Sequence, residues 1–230
     1  MNKRQENLLI AIVEGYVKTA SPIGSKLLVK SRVFQLSPAT IRNEMAELED
    51  LGYVSQPHTS AGRIPTEKGY QFYIENFFEE ASLIKKEKEQ LHKALHSAAG
   101  REIKSMAKEI SELTGQTVLV GLSKNNFFYT GISKLFSQPE FADYGYTCTM
   151  SEVIDRFDDV VNEIFDTIDD AIHIYIGKKN PFGNSCSSVV AKYRGKDSTE
   201  GIIGITGPMR MDYKKNYGVI KYARELMNNL

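Results

Sequence analysis

Leu36-Ser37-Pro38-Ala39-Thr40-Ile41-Arg42-Asn43-Glu44-Met45-Ala46-Glu47-Leu48-Glu49-Asp50-Leu51-Gly52 is the stretch on which the fold turns. Ser37 has the chemistry of a helix N-cap, because its hydroxyl can accept from a first-turn backbone N–H. Pro38 suits the first helical position, where an N–H would have no helical acceptor. Behind them Ile41, Met45, Leu48 and Leu51 recur at three- and four-residue spacing, one apolar stripe of a helix. Gly52 can end it by turning left-handed. Each residue steps about 100° around the axis. With Ile41, Met45 and Leu48 facing a core, Ala39, Asn43, Ala46, Glu47 and Asp50 therefore point outward, with Thr40 and Arg42 on the flanks.

Working outward, Tyr53-Val54-Ser55-Gln56 reads as a strand, and Pro57-His58-Thr59-Ser60-Ala61-Gly62-Arg63 as a polar turn punctuated by Pro and Gly. Ile64 begins a return strand. Thr66 or Pro65 then opens a helix through Tyr70, Tyr73, Ile74 and Phe77. Upstream, Leu8, Leu9, Ile12, Val13, Tyr16 and Val17 form the stripe of a helix over Arg4 to Lys18. Ser21-Pro22 repeats the cap signal before a short helix, about Ile23 to Ser31. Three helices, a short hairpin and a closing helix make a winged helix-turn-helix over residues 1–80, because caps, periods and turn all agree.

The rest of the chain changes character twice. Residues 81–114 read as a charged helical linker, with Leu91, Ala94, Leu95 and Ala98 on one face, an interruption at Gly100, and the stripe resuming through Ile103, Met106, Ala107, Ile110 and Leu113. This segment either joins two copies of the chain or packs on its own domain. Beyond Gly115, Thr117–Leu122 and Phe127–Ile132 form a hairpin through Lys124-Asn125-Asn126. Met150–Ile168 reads as one acidic amphipathic helix, Ala171–Ile176, Cys186–Tyr193 and Gly201–Ile205 as strands, and Asn216–Met227 as a final helix. The class is α+β, with a mostly antiparallel sheet over residues 115–230.

The 230 residues carry 29 basic and 29 acidic side chains, a net charge of zero, so overall charge gives no support for nucleic-acid binding. The distribution is uneven: residues 171–230 hold 10 basic against 4 acidic side chains, and 151–170 hold 8 acids and one base, Arg156. No apolar run approaches a membrane span, and the N-terminus reads as an amphipathic helix of mature protein. Two cysteines, Cys148 and Cys186, make neither a disulfide framework nor a zinc pattern, which fits a reduced cytoplasmic chain.

In a winged helix the third helix enters the major groove with its N-terminal turns nearest the bases. Arg42 can grip guanine and Asn43 adenine through paired hydrogen bonds, while Ala39 and Ala46 allow close approach or touch a thymine methyl. Ser37 and the first backbone N–H groups of the helix suit a phosphate oxygen, with Thr40 on the flank of the reading face. His58, Thr59, Ser60 and Arg63 of the wing, with Lys68 behind, suit the minor groove or flanking backbone. Lys26, Lys30 and Arg32 can reach phosphate from the second helix. Against this, each cation can be a solvated surface group, and Asn43 can bond to Glu47. The acids Glu44, Glu47, Glu49 and Asp50 would be repelled by phosphate, which limits contact to the first two turns.

The run from Leu36 to Gly52, followed by Gln56-Pro57-His58-Thr59-Ser60-Ala61-Gly62-Arg63-Ile64-Pro65-Thr66-Glu67-Lys68-Gly69-Tyr70, closely resembles the bacterial HrcA family of heat-inducible transcription repressors. The likeness resumes at Gly131–Phe141 with Gln138-Pro139-Glu140-Phe141, at Ile176-Gly177 with Asn180-Pro181-Phe182, at Ser188-Val189-Val190, and at Gly204–Tyr213. The resemblance implies a repressor of chaperone operons that binds an inverted-repeat DNA operator as a homodimer, without a cofactor. It also implies a GAF-like C-terminal domain and a chaperonin partner, GroEL, that keeps the repressor active. The chain is roughly a third shorter than that pattern, and the loss falls between Leu122 and Phe127, so the family's inserted dimerisation domain is missing.

Two rivals remain. A small-molecule-sensing winged-helix regulator of other genes fits a GAF-like domain. An enzyme would need partnered catalytic groups. The acids Asp155, Asp158, Asp159, Glu163, Asp166, Asp169 and Asp170 lie on the solvent side of one helix without a partnered histidine. His92 and His96 have zinc-ligand spacing but only each other. No Gly-rich phosphate loop or nucleophile elbow occurs. Arg210 and Asp212 are expected to make structural pairs.

Overall fold

The computed structural model describes residues 1–30, 34, 36–96, 101–195 and 199–230. Ser31, Arg32, Ala98 and Gly100, which entered the expectations above, lie outside these. The chain divides into two compact units, Met1–Glu79 and Glu80–Leu230.

The first unit begins with α1, Lys3–Thr19, opened by a reciprocal cap: Asn2 Oδ1 accepts from Gln5 N, and Gln5 Oε1 accepts from Asn2 N. Leu8, Leu9, Ile12 and Val13 are its buried stripe. The second helix, α2, spans Ser25–Lys30 and starts two residues later than its Ser-Pro signal suggests. Ser21 caps no helix; its hydroxyl donates to the Thr19 carbonyl. The reason is tertiary: the backbone of Ile23 is paired with Arg63, N–H to carbonyl in both directions at 2.9 Å, and so is held extended.

α3, Pro38–Asp50, follows the sequence signal closely. Ser37 Oγ accepts from Thr40 N at 3.1 Å, and Ile41, Met45 and Leu48 are buried. Gly52, at φ +77°, closes it: Tyr53 N–H donates to the Leu48 carbonyl and Gly52 N–H to that of Glu49. β1, Val54–Ser55, and β2, Ile64–Pro65, pair antiparallel as the base of the wing. α4, Glu67–Phe77, is capped by Thr66.

The second unit starts with α5, Lys85–His96, and α6, Glu102–Thr114. Both pack on the closing helix of this unit, and α6 also packs on the first strand of its sheet, so the segment expected as a linker is built into the sheet-bearing unit. The strands are β3, Thr117–Ser123; β4, Asn126–Thr130; β5, Ile172–Ile176; β6, Cys186–Arg194; and β7, Glu200–Pro208. They form one sheet in the order β4-β3-β7-β6-β5, every pairing antiparallel. Between β4 and β5 run α7, Ile132–Phe136; α8, Tyr144–Asp155; and α9, Phe157–Phe165. The chain ends in α10, Tyr213–Met227.

Two expectations change here. β4 stops at Thr130, because Gly131 takes φ +92° and α7 begins. The acidic helix expected over Met150–Ile168 is two helices broken at Arg156, which lets Phe157 turn into the core. Leu119, Val190 and Ile202 of the sheet meet Leu135, Met150, Phe157, Val160 and Val161 of α7–α9. By alternation, Val118, Val120, Val189, Ile203 and Ile205 face the other layer, where α6 and α10 pack. All eight acids of 151–170 are exposed.

Arg210 joins two stretches far apart in sequence. Its guanidinium pairs with both oxygens of Glu140, at 2.5 and 3.0 Å, and donates to Gln138 Oε1 at 2.8 Å, with side chains 11% and 18% exposed for the ion pair. Asp212 caps α10 through Lys215 N. Cys186 is buried, and burial pushes its thiol up to about 12, against a smaller opposing effect of Thr206.

Two outcomes follow for this unit. Arg210→Ala should lower its unfolding free energy by about 2–3 kcal/mol in urea titrations, and Arg210→Lys should recover only part, since an ammonium cannot reproduce the two-pronged contact. In the folded protein at neutral pH a thiol reagent should titrate exposed Cys148 quickly and Cys186 only after denaturation, because the thiolate is the reactive form. Two fast equivalents would contradict the burial.

Candidate nucleic-acid interface

The exposed face of α3 comprises Ala39, Arg42, Asn43, Ala46, Glu47 and Asp50, with Thr40 half-buried on its flank. Ser37 lies at the helix start with its hydroxyl 2.9 Å from Thr40 Oγ1. A hydroxyl carries one donor and two acceptor positions, so this pair, one of whose lone pairs caps Thr40 N–H, still has capacity for a further acceptor or donor.

Beside this face lies a cleft of about 410 Å³. Its lining brings together Lys26 of α2, Arg42 and Met45 of α3, and Gln56, Thr59, Ser60 and Arg63 of the wing. Two chain segments meet here because Ile23 and Arg63 are bridged through their backbones, and Gly62 permits that approach: a Cβ on it would lie 2.3 Å from the Ile23 carbonyl carbon. Lys26 and Arg42 are exposed, and the wing tip His58, Thr59 and Ser60 is exposed as well. The tip is a tight turn, with Ala61 N–H donating to the His58 carbonyl at 2.8 Å and Ser60 Oγ 3.3 Å from His58 Nδ1.

Two expected residues stand in a different setting from an open cation. The Arg63 side chain is only 15% exposed and pairs with Glu49 Oε2 at 2.8 Å. Lys68 sits at the far end of α3: its Nζ donates to the Leu51 carbonyl at 2.7 Å and lies 4.4 Å from the centre of the Tyr53 ring. A helix of this length rises about 20 Å between its ends, so Lys68 is remote from Ser37.

The acids of α3 are also placed otherwise than a solvated face would have them. Glu44 is buried and pairs with Arg4 of α1. Glu47, the partner that a solvated face would offer Asn43, accepts from Gln5 Nε2 at 2.6 Å. The sequence pattern does not single out Gln56, whose Nε2 donates to the carbonyls of both Thr59 and Ala61 at 3.0 Å. A polar side chain just before the Pro57 turn was the available signal. Among the described residues, no group of three or more His, Cys, Asp or Glu is placed to hold a metal, and no helix is long and apolar enough to cross a membrane.

A family model described as winged helix-turn-helix transcription repressor, HrcA DNA-binding, matches residues 1–77, and one described as HrcA protein C terminal domain matches residues 71–216. The heat-inducible transcription repressor HrcA of Carboxydothermus hydrogenoformans is 25% identical over 338 residues, covering 100% of this chain and 99% of that protein. With 230 residues here, at least 108 of those positions have no residue of this chain opposite them. The HrcA of Natranaerobius thermophilus is 45% identical over 124 residues, 52% of this chain and 36% of that protein. A crystal structure of a hypothetical protein, solved at 2.2 Å, has a TM-score of 0.76 at 18% identity and covers 99% of this chain and 98% of its own, a likeness of fold.

Lys68→Ala should lower the melting temperature of the first unit by about 2–5 °C, through loss of a cation at a helix C-terminus. It should leave affinity for duplex DNA within about twofold, since the ammonium is remote from the helix start. A large loss of affinity at unchanged melting temperature would show that Lys68 touches DNA directly.

Proposed function

The chain belongs to the HrcA family of heat-inducible transcription repressors, and from that premise we propose that it silences chaperone genes by reading an inverted-repeat operator as a homodimer. The family is one of DNA-binding regulators with a winged helix, not of enzymes. The observation that carries the reading is the cleft in which Arg42 and Lys26 meet Thr59 and Ser60 beside the first turns of α3. Phosphate is drawn to such a positively charged concavity, and base edges are read by the side chains that project from the helix within it.

In this proposal Arg42 pairs with guanine and Asn43 with adenine, while Ala39 and Ala46 lie against the groove and touch thymine methyls. Ser37 and Thr40 hold a phosphate at the helix start, Lys26 neutralises another, and His58, Thr59 and Ser60 follow the flanking backbone or minor groove. Arg63 and Lys68 serve by holding the wing and α3 in place. An inverted repeat presents two half-sites, so two reading heads related by a twofold axis are needed; residues 81–114 or the sheet supply the contact between copies. Partnership with GroEL, and residence in the cytoplasm on the nucleoid, rest on family membership.

The test is a gel shift on a duplex selected by the protein from a randomised pool, on one half-site of it, and on a scrambled duplex. Affinity should fall steeply with salt. Arg42→Ala should cost about 1–3 kcal/mol and relax base preference, whereas Lys26→Ala should weaken all sequences alike and reduce the salt slope by about 1. Equal affinity for selected and scrambled duplexes at moderate salt would sink the reading. Binding of a single half-site by a monomer, with no gain from the second, would sink the dimer.

A further inference from the structure

An acid on a helix that lies against phosphate should weaken binding, and Glu49 stands on α3, toward the wing. Its Oε1 accepts the backbone N–H of Gln56 at 2.9 Å, and its Oε2 pairs with the Arg63 guanidinium at 2.8 Å. Gln56 is the residue by which the chain enters the wing, and Arg63 the residue by which it leaves. One carboxylate therefore grips both legs of the loop. The loop is closed from inside by Gln56 Nε2 on the carbonyls of Thr59 and Ala61. On its outer leg it is fixed to the segment before α2 by the Ile23–Arg63 backbone pair.

Arg63 depends on this carboxylate more than a surface cation would. Its side chain is largely buried, and its Nε has no hydrogen-bond partner among the described residues. A guanidinium in that setting needs a carboxylate opposite it, or it must swing outward and carry the wing backbone with it.

We propose that Glu49 is a positioning residue for DNA recognition: it fixes His58, Thr59 and Ser60 relative to the reading face of α3. This rests on the reading that the cleft binds DNA. The sign of the effect separates it from plain electrostatics. Coulomb repulsion alone says that removing an acid from this helix tightens binding; positioning says that it loosens binding.

Glu49→Gln keeps the shape and an oxygen for the Gln56 N–H, and replaces the charged acceptor opposite Arg63 with an uncharged N–H donor. In the full-length chain, on the duplex selected by the wild-type protein, this variant should bind about tenfold more weakly. Hydroxyl-radical footprinting should show protection fading at the positions flanking the α3 site, with the base preference set by Arg42 retained. Gln56→Ala, which changes no charge, should give the same footprint. Affinity for Glu49→Gln equal to or tighter than wild type overturns the proposal, as does an unchanged flanking footprint in Gln56→Ala. The second variant decides the matter if the first melts below the assay temperature. Failure of the wild-type protein to prefer its selected duplex would instead overturn the DNA reading itself, and is read on the wild type alone.

Discussion

Ile41, Met45 and Leu48 are buried against the core that α1 and α4 complete, and their burial sets the rotation of α3 about its own axis. A helix repeats every 3.6 residues, so fixing three inward positions leaves no freedom in which residues look out. Ala39, Arg42, Asn43 and Ala46 are exposed for that reason. Each end of the helix is then pinned separately: Ser37 holds the start through Thr40 N, and Gly52, with Lys68 on the Leu51 carbonyl, holds the finish. A surface that reads a sequence must be presented in one orientation, and here apolar packing supplies the angle while the caps supply the limits.

The polar groups around α3 follow from the same geometry. Glu44 occupies the inward side of the helix, where an unpaired carboxylate would be costly, and Arg4 of α1 faces it. Glu47 and Glu49 lie at the edges of the exposed face and accept from Gln5 on one side and from Gln56 and Arg63 on the other. Charge counting treats these acids as an obstacle to phosphate. Three of the four are tied to neighbouring elements, so their negative charge is held at the margins; among the described residues Asp50, at the far end of the helix, makes no such tie. Two of the positive side chains that stay exposed, Lys26 and Arg42, border the cleft.

What was legible in the sequence divides along a physical line. Signals that act within one turn were read correctly: the Ser37-Pro38 start, the Gly52 stop and the Thr66 cap all involve atoms a few residues apart. The same Ser-Pro signal at Ser21-Pro22 misled, because a backbone pairing with Arg63, some forty residues on in the chain, overrides it. The break at Arg156 was hidden for a similar reason. Apolar spacing continues across it, and only the packing of Phe157 between the sheet and α8 requires the turn. Arg63 showed the limit most clearly: as a residue type it suits phosphate, and nothing local in the sequence announces that Glu49 will face it.

The second unit bears on how a chain that leaves at least 108 positions of its alignment with a relative unfilled can still close its sheet. The hairpin between β3 and β4, where the sequence places the shortening, turns through Lys124-Asn125 alone. Asn125 takes φ +63°, a left-handed conformation that asparagine tolerates better than most residues. Its N–H donates to Asn162 Oδ1 at 2.9 Å, Asn162 Nδ2 donates back to Asn125 Oδ1 at 3.2 Å, and Lys124 pairs with Asp166 at 2.6 Å. Both partners lie on or just after α9, so the tip of the short hairpin is stitched to the helix layer beneath it. A tight turn whose strained residue has its polar groups satisfied needs no further chain to complete it. At the opposite end, Arg210 ties Glu140 and Gln138 to the exit of β7. The sheet is thus fixed at both ends of its central strands by side chains of its own layers, which is why the reduced domain retains a packed core.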